Sequence, residues 1–571
     1  MTEAPDSKND SFRHFAVWLA ALFLVVVGAK LWVVQLYGSP LLLWDQWYEA
    51  ILFFKPWLEG HLRWEDFFAP YCEHRILFTR LLDLGVISLN GRLEPMLQMT
   101  VNAIIYAVYV CGLAFCLWDF LGRRKGWLVC SLLMPFFALP YAGENTIWAF
   151  NSQAYFLAIF SVPTLAGLGF GKPGGRSWWI GLAAAVMGLF TMASGVLTPL
   201  AVVGLVILRT IKLCRLEKQN LITLGASLVV IGLGAALYTN FAGDESLRAH
   251  TFVQFISALA RNLTWPFFDA PGMALFIALP LILLAAWYFL PDFQESRAAE
   301  FLLVLGLWSG LQSIALAYGR GSFGEDFPAS RYMDKLNVFV IASLFAVVLL
   351  ARLWLRGALS KKFTLLPPLI FAAVVFFGLG RISEIVVEKL LLPTRMMNLV
   401  AEEQVKTFMA TGNEHDFLEE PTVRPDPKVA LAVLHDAKLQ TILPAVCLPP
   451  ADSHLTGRFT AVSQWLLRNS VLILYSGLGL AIILVGRILI CSPLGLAWEN
   501  LPAFITLLAL LAALGFVWSK APVKRETIER DLDYKIAAYF KSVNNTGRAA
   551  VYERAADALQ QRETSDGSGR P

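Results

Sequence analysis

Long apolar segments recur along this chain, and they limit its fold more than any other feature. The first runs from Phe15 to Leu36, and similar segments follow almost to the C-terminus. A helix of about 20 residues spans the roughly 30 Å of hydrocarbon in a bilayer, and lipid offers the backbone no hydrogen-bond partners. Only 16% of the residues are charged, and the mean hydropathy is +0.58. The sequence therefore predicts an all-α polytopic membrane protein with about 11–13 transmembrane helices.

One apolar block is too long for a single membrane helix. Trp178–Leu208 would form a helix of roughly 45 Å, and Ser194 and Gly195 lie near its middle, so it predicts two short helices. The other predicted helices are Phe15–Leu36, Met96–Trp118, Trp127–Tyr141, Ala154–Phe170, Leu221–Phe241, Gly272–Leu290, Phe301–Ala317, Leu336–Leu355, Thr364–Leu379, Ser470–Ile490 and Leu501–Trp518.

Basic residues concentrate in alternate loops, which predicts the orientation in the membrane. If the first helix runs outwards, all the basic clusters lie inside: Arg123–Lys125, Lys172–Arg176, Arg209–Lys218 and Arg352–Lys362. The tail beyond Lys520 is also basic, yet an odd helix count would place it outside, so its side stays open. The net charge of +4 is small and dispersed, which does not suggest nucleic-acid binding.

This orientation divides the chain into five parts. They are a cytoplasmic N-terminal tail (1–14), a transmembrane module (15–380) with a long first external loop (37–95), an external segment (381–469), C-terminal transmembrane helices (470–518) and a polar C-terminal tail (519–571). The external segment is predicted to be mostly helical, with helical patterning in Pro427–Leu443.

Two of the seven cysteines fall in predicted external loops. In an oxidising compartment Cys72 and Cys447 could pair and tie the first loop to the late segment. The alternative is two free thiols, because the sequence does not reveal the distance between them.

The first candidate site lies just beyond the first helix. Desolvation beside Trp44 and Trp47 would raise the pKa of Asp45 and suit it to general-base catalysis. The alternative is interfacial anchoring by the tryptophans, with Asp45 only capping a helix. Glu73 and His74 follow in the same loop and could bind a divalent metal with Asp45, although their spacing fits no standard site. No cofactor is required by the sequence.

Two further external segments carry polar groups. Glu144, Asn145 and Trp148 form a turn that could hydrogen-bond and stack on a sugar, or that could be a plain interfacial turn. Later, Arg320 and the segment Arg331–Lys335 offer cations that can bind phosphate oxygens. The alternative for these cations is contact with lipid headgroups.

Short motifs in these segments resemble bacterial polytopic GT-C-type glycosyltransferase-like proteins that use polyprenyl-phosphate sugars. Such proteins begin with one helix and a long external loop with an essential Asp near its start, as Asp45 has here. A related bacterial group carries Trp-Asp-x-Trp, His-Asn-Glu-His-Arg, Gly-Arg…Ser-Arg-Tyr and Pro-Asp-Pro motifs. The matching residues are Trp44–Trp47, Glu73–Arg75, Gly319–Arg320 with Ser330–Tyr332, and Pro425–Pro427; Tyr71-Cys72 replaces the His-Asn pair, which puts a metal in doubt.

This resemblance implies sugar transfer from a polyprenyl-phosphate donor to an envelope glycan or lipid acceptor. The reaction would occur at the external face of the bacterial cytoplasmic (inner) membrane. It implies that Asp45 takes the acceptor proton while Arg320, Arg331 and Lys335 stabilise the leaving phosphate. Glu73, His74 and Arg75 would shape the site or orient Asp45, and Glu144, Asn145, Trp148 and Tyr332 would contact substrate.

Two other classes of function compete with this hypothesis. A polysaccharide or lipid transporter would place charged residues near the middle of the membrane, and the predicted helices are nearly free of them. A non-catalytic envelope scaffold would need only the external segment 381–469 as a docking surface for a partner.

Overall fold

A computed structural model describes residues 5–123, 126–268, 270–291, 293, 296–322, 328–354, 366–419, 426–491, 525–542 and 545–567. The described chain is helical and contains no β-strand, only an isolated bridge between Tyr71 and His74. The predicted helix Leu501–Trp518 and most of the basic cluster Arg352–Lys362 lie outside the described residues, as do Arg124 and Lys125 of another cluster and Pro425 of a predicted motif.

The α-helices are numbered in chain order. They are α1 (Pro5–Tyr37), α2 (Asp45–Glu49), α3 (Lys55–Leu58), α4 (Leu77–Asn90), α5 (Pro95–Phe120), α6 (Gly126–Ala138), α7 (Gly143–Ile147), α8 (Ser152–Pro163), α9 (Arg176–Gly188), α10 (Leu197–Leu213), α11 (Lys218–Leu237), α12 (Phe252–Leu263), α13 (Met273–Tyr288), α14 (Ser296–Arg320), α15 (Met333–Trp354), α16 (Leu366–Val386), α17 (Leu392–Thr411), α18 (Glu414–Glu419), α19 (Pro427–His435), α20 (Ala437–Gln440), α21 (Thr460–Arg468), α22 (Ser470–Cys491), α23 (Arg525–Ser542) and α24 (Thr546–Gly567).

Eight helical segments in the described chain are long and apolar enough to cross a membrane. They contain α1, α5, α10, α11, α14, α15, the continuous α16–α17 segment and α22, and two shorter apolar helices, α6 and α13, lie among them. The prediction of an all-α polytopic membrane protein is confirmed. The long block at 178–208 is broken as predicted, because a 3₁₀ turn at Ala193–Val196 separates α9 from α10.

The first helix is the centre of the bundle, with α5, α6 and α22 packed around it. Small residues let α1 and α22 approach closely, as is common between membrane helices. A Cβ atom at Gly28 would lie only 2.3 Å from the backbone nitrogen of Leu474, and one at Gly477 would lie 2.7 Å from that of Val25. These two contacts also show that α22 runs antiparallel to α1.

The first loop and the late segment form one layer at the end of the bundle. Leu42 and Phe53 from the first loop pack in a single apolar cluster with Val405, Leu443 and Cys447 from the late segment. Cys447 is buried in that cluster, whereas Cys72 is exposed, and no disulfide joins these two described residues. The suggested Cys72–Cys447 pair is therefore wrong, because packing rather than a crosslink holds the two segments together.

The boundary predicted at residue 381 falls inside a continuous helical segment. Leu366–Thr411 is helical throughout, with a π-helical turn at Val387–Leu391 joining α16 to α17. The charged residues Arg381 and Glu388 depart from the apolar composition of a membrane helix. Charged side chains do not interrupt the backbone hydrogen bonds, so the helix continues. The helical patterning of Pro427–Leu443 is confirmed by α19 and α20.

The C-terminal tail docks at the same end of the bundle as the first loop. Arg525 donates a hydrogen bond to the backbone oxygen of Gln35 near the end of α1, and Arg395 of α17 forms ion pairs with Glu402 and Glu529. Because α22 runs antiparallel to α1, it ends at the opposite end of the bundle. The described tail residues from Arg525 onwards therefore lie against the end of the bundle that carries the first loop, away from the end at which α22 finishes.

Candidate functional site

A cavity of about 860 Å³ lies at the end of the bundle that carries the first loop. Its walls come from the first loop, the segment around α7, the 3₁₀ turn before α10, the junction between α14 and α15, and α17. Eleven residues were predicted from the sequence to form the site, and all except Arg75 line this cavity. They are Asp45, Glu73, His74, Glu144, Asn145, Trp148, Arg320, Arg331, Tyr332 and Lys335.

Asp45 begins α2 and lies half-buried at the cavity wall. The preceding residue, Trp44, has a φ of 51°, which is unusual for a non-glycine residue and makes the sharp turn that starts the helix. Burial raises the pKa of Asp45, while a hydrogen bond from Tyr71 and the charge of Arg331 lower it. The predicted rise through desolvation is therefore the largest effect on this carboxyl group.

Tyr71 is a site residue that the sequence interpretation missed. Reciprocal backbone hydrogen bonds of 2.8 and 2.9 Å join Tyr71 and His74 in a tight turn, and Cys72 within it has a φ of 51°. The turn brings Tyr71 within hydrogen-bonding reach of Asp45 and directs Glu73 towards the cavity. The sequence did contain a sign of this role, because Tyr71 replaces a histidine of the related motif shortly before Glu73–Arg75.

The two predicted arginines are both paired with carboxylates from other parts of the chain. Arg320 Nη2 lies 2.9 Å from Glu73 Oε1, and its Nε donates to the Tyr332 hydroxyl at 3.2 Å. Arg331 Nη1 lies 2.9 Å from Glu144 Oε1, and Glu144 Oε2 accepts a further bond from the Arg331 backbone N–H. Each carboxylate thus orients one guanidinium at the cavity wall.

Lys335 differs from the two arginines. Its ammonium group is directed at Met192 Sδ, 3.3 Å away, and forms no ion pair with a carboxylate among the described residues. Thioether sulfur is a weak acceptor. Lys335 therefore has more of its hydrogen-bonding capacity available to an anionic ligand than either arginine.

Arg320, Arg331 and Lys335 together form the cationic wall of the cavity. The Glu144–Trp148 segment supports this wall. Asn145 Nδ2 donates to the backbone oxygen of Arg331 and to Asp334 Oδ2, both at 2.9 Å. Behind it, Lys30 of α1 is buried and donates to Thr146 at 3.1 Å. Lys30 is an ionisable residue within a membrane helix that the sequence interpretation overlooked. It lies towards the cavity end of α1, where it holds α7 in place.

Two arginines of the first loop have structural contacts rather than cavity contacts. Arg75 donates to the backbone oxygens of Leu237 and Phe68 at 2.9 and 2.7 Å, so it fastens the loop to the end of α11. Arg75 was expected to shape the site or to orient Asp45, and it does not line the cavity. Arg80, which is buried, forms an ion pair of 2.9 Å with Glu49 and thereby holds α2, which begins at Asp45.

One face of α17 forms the wall that the sequence interpretation did not predict. Thr394, Met397, Asn398 and Ala401 recur at helical spacing and all line the cavity. Asn398 is 6% exposed, and its Nδ2 has no hydrogen-bond partner among the described residues. A buried amide donor without a partner is costly, which marks this wall as a place where a ligand oxygen would be stabilised.

The residues that were considered for a metal do not form a metal-binding group. In the described part of the chain, no three His, Cys, Asp or Glu side chains are placed to hold an ion. His74 instead accepts a hydrogen bond from the Ala193 backbone N–H at 3.3 Å.

Neither a protein-family model nor a curated protein sequence matches this chain. Its fold is similar to two solved structures from Archaeoglobus fulgidus. One is the archaeal oligosaccharyltransferase AglB in complex with an inhibitory peptide and a dolichol-phosphate, with a TM-score of 0.42 and 12% identity over 71% of this chain and 59% of that one. The other is the apo form of the oligosaccharyltransferase, with a TM-score of 0.39 and 12% identity over 81% of this chain and 64% of that one.

The chain thus spans about three fifths of the length of the solved structures it resembles.

Proposed function

We propose that this protein is a membrane glycosyltransferase that moves a sugar from a polyprenyl-phosphate donor to an envelope glycan or lipid acceptor on the external face. One observation carries the proposal. A partly desolvated carboxylate, Asp45, and three cations, Arg320, Arg331 and Lys335, line a single cavity. A carboxylate suits deprotonation of a hydroxyl, and cations suit a phosphate leaving group.

The proposed reaction assigns proton transfer to Asp45 and stabilisation of the leaving phosphate to the cations. Asp45 accepts the proton of the acceptor hydroxyl as its oxygen bonds to the anomeric carbon of the sugar. The bond between that carbon and the phosphate oxygen breaks, and the electron pair leaves with the polyprenyl phosphate. Negative charge develops on the phosphate, where Lys335 and Arg320 stabilise it. Asp45 later returns the proton to solvent.

The cationic wall is suited to an incoming phosphate in two steps. Lys335 engages it first, because it has no carboxylate partner in the described chain. Arg320 then shares its guanidinium between Glu73 and the phosphate, since five N–H donors allow both contacts. Charge-assisted hydrogen bonds of this kind are stronger than neutral ones.

The α17 face provides the acceptor side of the same cavity. Asn398 offers an N–H donor to an acceptor oxygen, and Leu390 and Met397 beside it offer apolar contact. A neutral hydroxylated group with an apolar attachment fits this wall better than an anion, because no cation among the described cavity residues lies on α17. This combination supports a glycan or lipid acceptor.

The rival transporter hypothesis requires charges near the membrane centre. Lys30, which is buried, and Asp334, which is half-buried, instead lie towards the cavity ends of α1 and α15, where they contact α7 directly or through Asn145. The scaffold hypothesis requires only the late segment, yet that segment contributes a cavity wall through α17. Both observations favour catalysis.

A direct assay tests the proposal. The purified full-length chain, reconstituted in liposomes, is incubated with a panel of polyprenyl-phosphate sugars and membrane-derived acceptors. We expect time-dependent release of polyprenyl phosphate from one donor, coupled to appearance of its sugar on an acceptor lipid or glycan. Folded protein that releases no lipid phosphate from any donor, but binds an envelope component, would support the scaffold hypothesis instead.

Tyr71→Phe is expected to move the acidic limb of the pH–rate profile to higher pH. The base must be ionised, so activity is present above the pKa of Asp45 and is lost as the pH falls through it. The Tyr71 hydrogen bond lowers that pKa, so its removal raises it and the loss begins at a higher pH. The profile of kcat/KM against pH measures the change.

Tyr318→Phe is the matched control for this experiment. Tyr318 also lines the cavity but is 56% exposed, and, unlike Tyr71 and Arg331, it is not among the groups that shift the pKa of Asp45. An acidic limb that is the same in Tyr71→Phe and in the unaltered protein would show that Asp45 does not control the rate.

A further inference from the structure

A second cavity, of about 520 Å³, lies at the opposite end of the bundle. Two helices connect it to the first cavity. On α14, Glu300 lines the second cavity and Arg320 the first, which are about 30 Å apart at 1.5 Å per residue. On α10, Leu197 lines the first cavity and Lys212 the second. The separation matches the hydrocarbon thickness, so the second cavity lies at the level of the opposite headgroups.

The charged residues that line this cavity include three cations and two carboxylates, and both carboxylates already have other partners. Lys172, Arg209 and Lys212 line it, together with the carboxylates of Glu217 and Glu300. Glu217 forms an ion pair of 3.0 Å with Arg215, which lies outside the lining. Glu300 is likewise occupied by other groups, and neither of these described carboxylates forms an ion pair with Lys212.

Glu300 is held by a fixed set of contacts. Arg209 donates to its Oε2 from Nε and Nη2 at 3.0 and 2.8 Å, and Tyr288 donates to its Oε1 at 2.7 Å. A third bond from Arg209 reaches the backbone oxygen of Gly169 at 2.7 Å. These contacts form a rigid wall beside Lys212.

The ammonium group of Lys212 is buried and lacks a hydrogen-bond partner among the described residues. It lies 4.0 Å from the centre of the Tyr288 ring and 5.2 Å from that of Phe293. Aromatic faces stabilise a cation but do not accept its N–H bonds as an oxygen would. A buried ammonium with unused donors is costly unless an anion satisfies them.

The surrounding backbone also favours an anion. The turn Gly169–Pro173 borders the cavity, and Gln219 and Asn220 place the first turn of α11 there. The N–H groups at the start of a helix are unpaired and carry partial positive charge, so a helix start beside a lysine suits an oxyanion. This arrangement does not use any residue of the first cavity.

We propose that this second cavity binds a phosphate group, with Lys212 as its principal ligand. The phosphate belongs either to a lipid headgroup of that leaflet or to a free anion. Both sources present the same tetrahedral oxygens to Lys212 and to the start of α11. The proposal does not depend on glycosyl transfer at the first cavity.

The binding of two phosphate-containing probes to the purified full-length protein in non-ionic detergent tests this site. Because the first cavity is also proposed to take a phosphate, the measurements are made with Lys335→Met protein. The probes are dioctanoyl phosphatidic acid and, separately, inorganic phosphate, and calorimetry measures their affinity and stoichiometry. We expect one saturable site for at least one probe. Binding of the lipid alone would identify a headgroup site, whereas binding of both would identify a site for the phosphate group itself.

When Lys212→Met is added to the Lys335→Met protein, it should weaken that binding at least tenfold, since a charge-assisted hydrogen bond is lost. Adding Lys212→Arg should retain it, which separates loss of charge from loss of folding. Lys218→Met is the matched control, because Lys218 is an exposed lysine at the start of α11, close to Lys212 in the chain, and does not line the cavity. The proposal is overturned if neither probe binds, if Lys212→Met binds normally, or if Lys218→Met weakens binding equally.

Discussion

Asp45→Asn is expected to lower the rate of sugar transfer by about 10²–10⁴-fold, the usual contribution of a general base. Asparagine keeps the shape of the side chain and can still hydrogen-bond to Tyr71, but it cannot accept the acceptor proton. Donor binding should persist, because Arg320, Arg331 and Lys335 are unchanged and still line the cavity. The loss should therefore appear in kcat, measured under donor saturation with protein in liposomes.

The control for this change is Asp66→Asn. Asp66 belongs to the same loop, but it accepts hydrogen bonds from Arg63 and does not line the cavity. Its substitution should leave transfer near normal. If folded Asp45→Asn protein transferred sugar at a near-normal rate, the catalytic role of Asp45 would be wrong and a scaffold would become the better explanation.

Lys335→Met is expected to reduce transfer by about 10²–10³-fold, like removal of other groups that stabilise developing charge. Methionine preserves the length and apolar contacts of the side chain and removes only the ammonium group. Part of the loss should appear as a higher KM for the donor, because Lys335 engages the phosphate in the ground state as well. Steady-state kinetics with varied donor concentration separates the two effects.

Lys389→Met is the corresponding control. Lys389 is exposed in the π-helical turn before α17, next to the cavity residue Leu390, but it does not line the cavity. Equal losses in both variants would indicate a general effect of positive charge near the membrane rather than contact with the phosphate.

Arg320→Ala should also lower the rate of sugar transfer by about 10²–10³-fold, but the interpretation of this loss needs a second substitution. Removing Arg320 leaves Glu73 facing the phosphate without the ion pair of 2.9 Å. If Arg320 contacts the phosphate, the double variant Arg320→Ala with Glu73→Gln remains impaired. If Arg320 only neutralises Glu73, the double variant recovers activity, and the leaving-group role is wrong.

Much of the fold was predictable because lipid imposes a simple rule. A segment such as Phe15–Leu36 must be a helix, since no other structure satisfies its backbone in hydrocarbon. The thickness of the bilayer also limits the length of a membrane helix, which predicted a break near Ser194 in the long apolar block. Polar side chains at the ends of such helices, including Asp45 and Arg320, were identifiable because they lie at one predicted depth. Ten of the eleven predicted site residues consequently line one cavity.

The sequence was therefore sufficient to predict the helical membrane fold and the polar residues at the cavity end of the bundle. How those residues pair depends on the tertiary packing. The contacts of Arg320 with Glu73 and of Arg331 with Glu144 join residues far apart in the chain, as does the wall that Asn398 provides. Such contacts depend on which helices pack together. Helix periodicity and hydropathy describe each segment alone, so they contain no information about its neighbours.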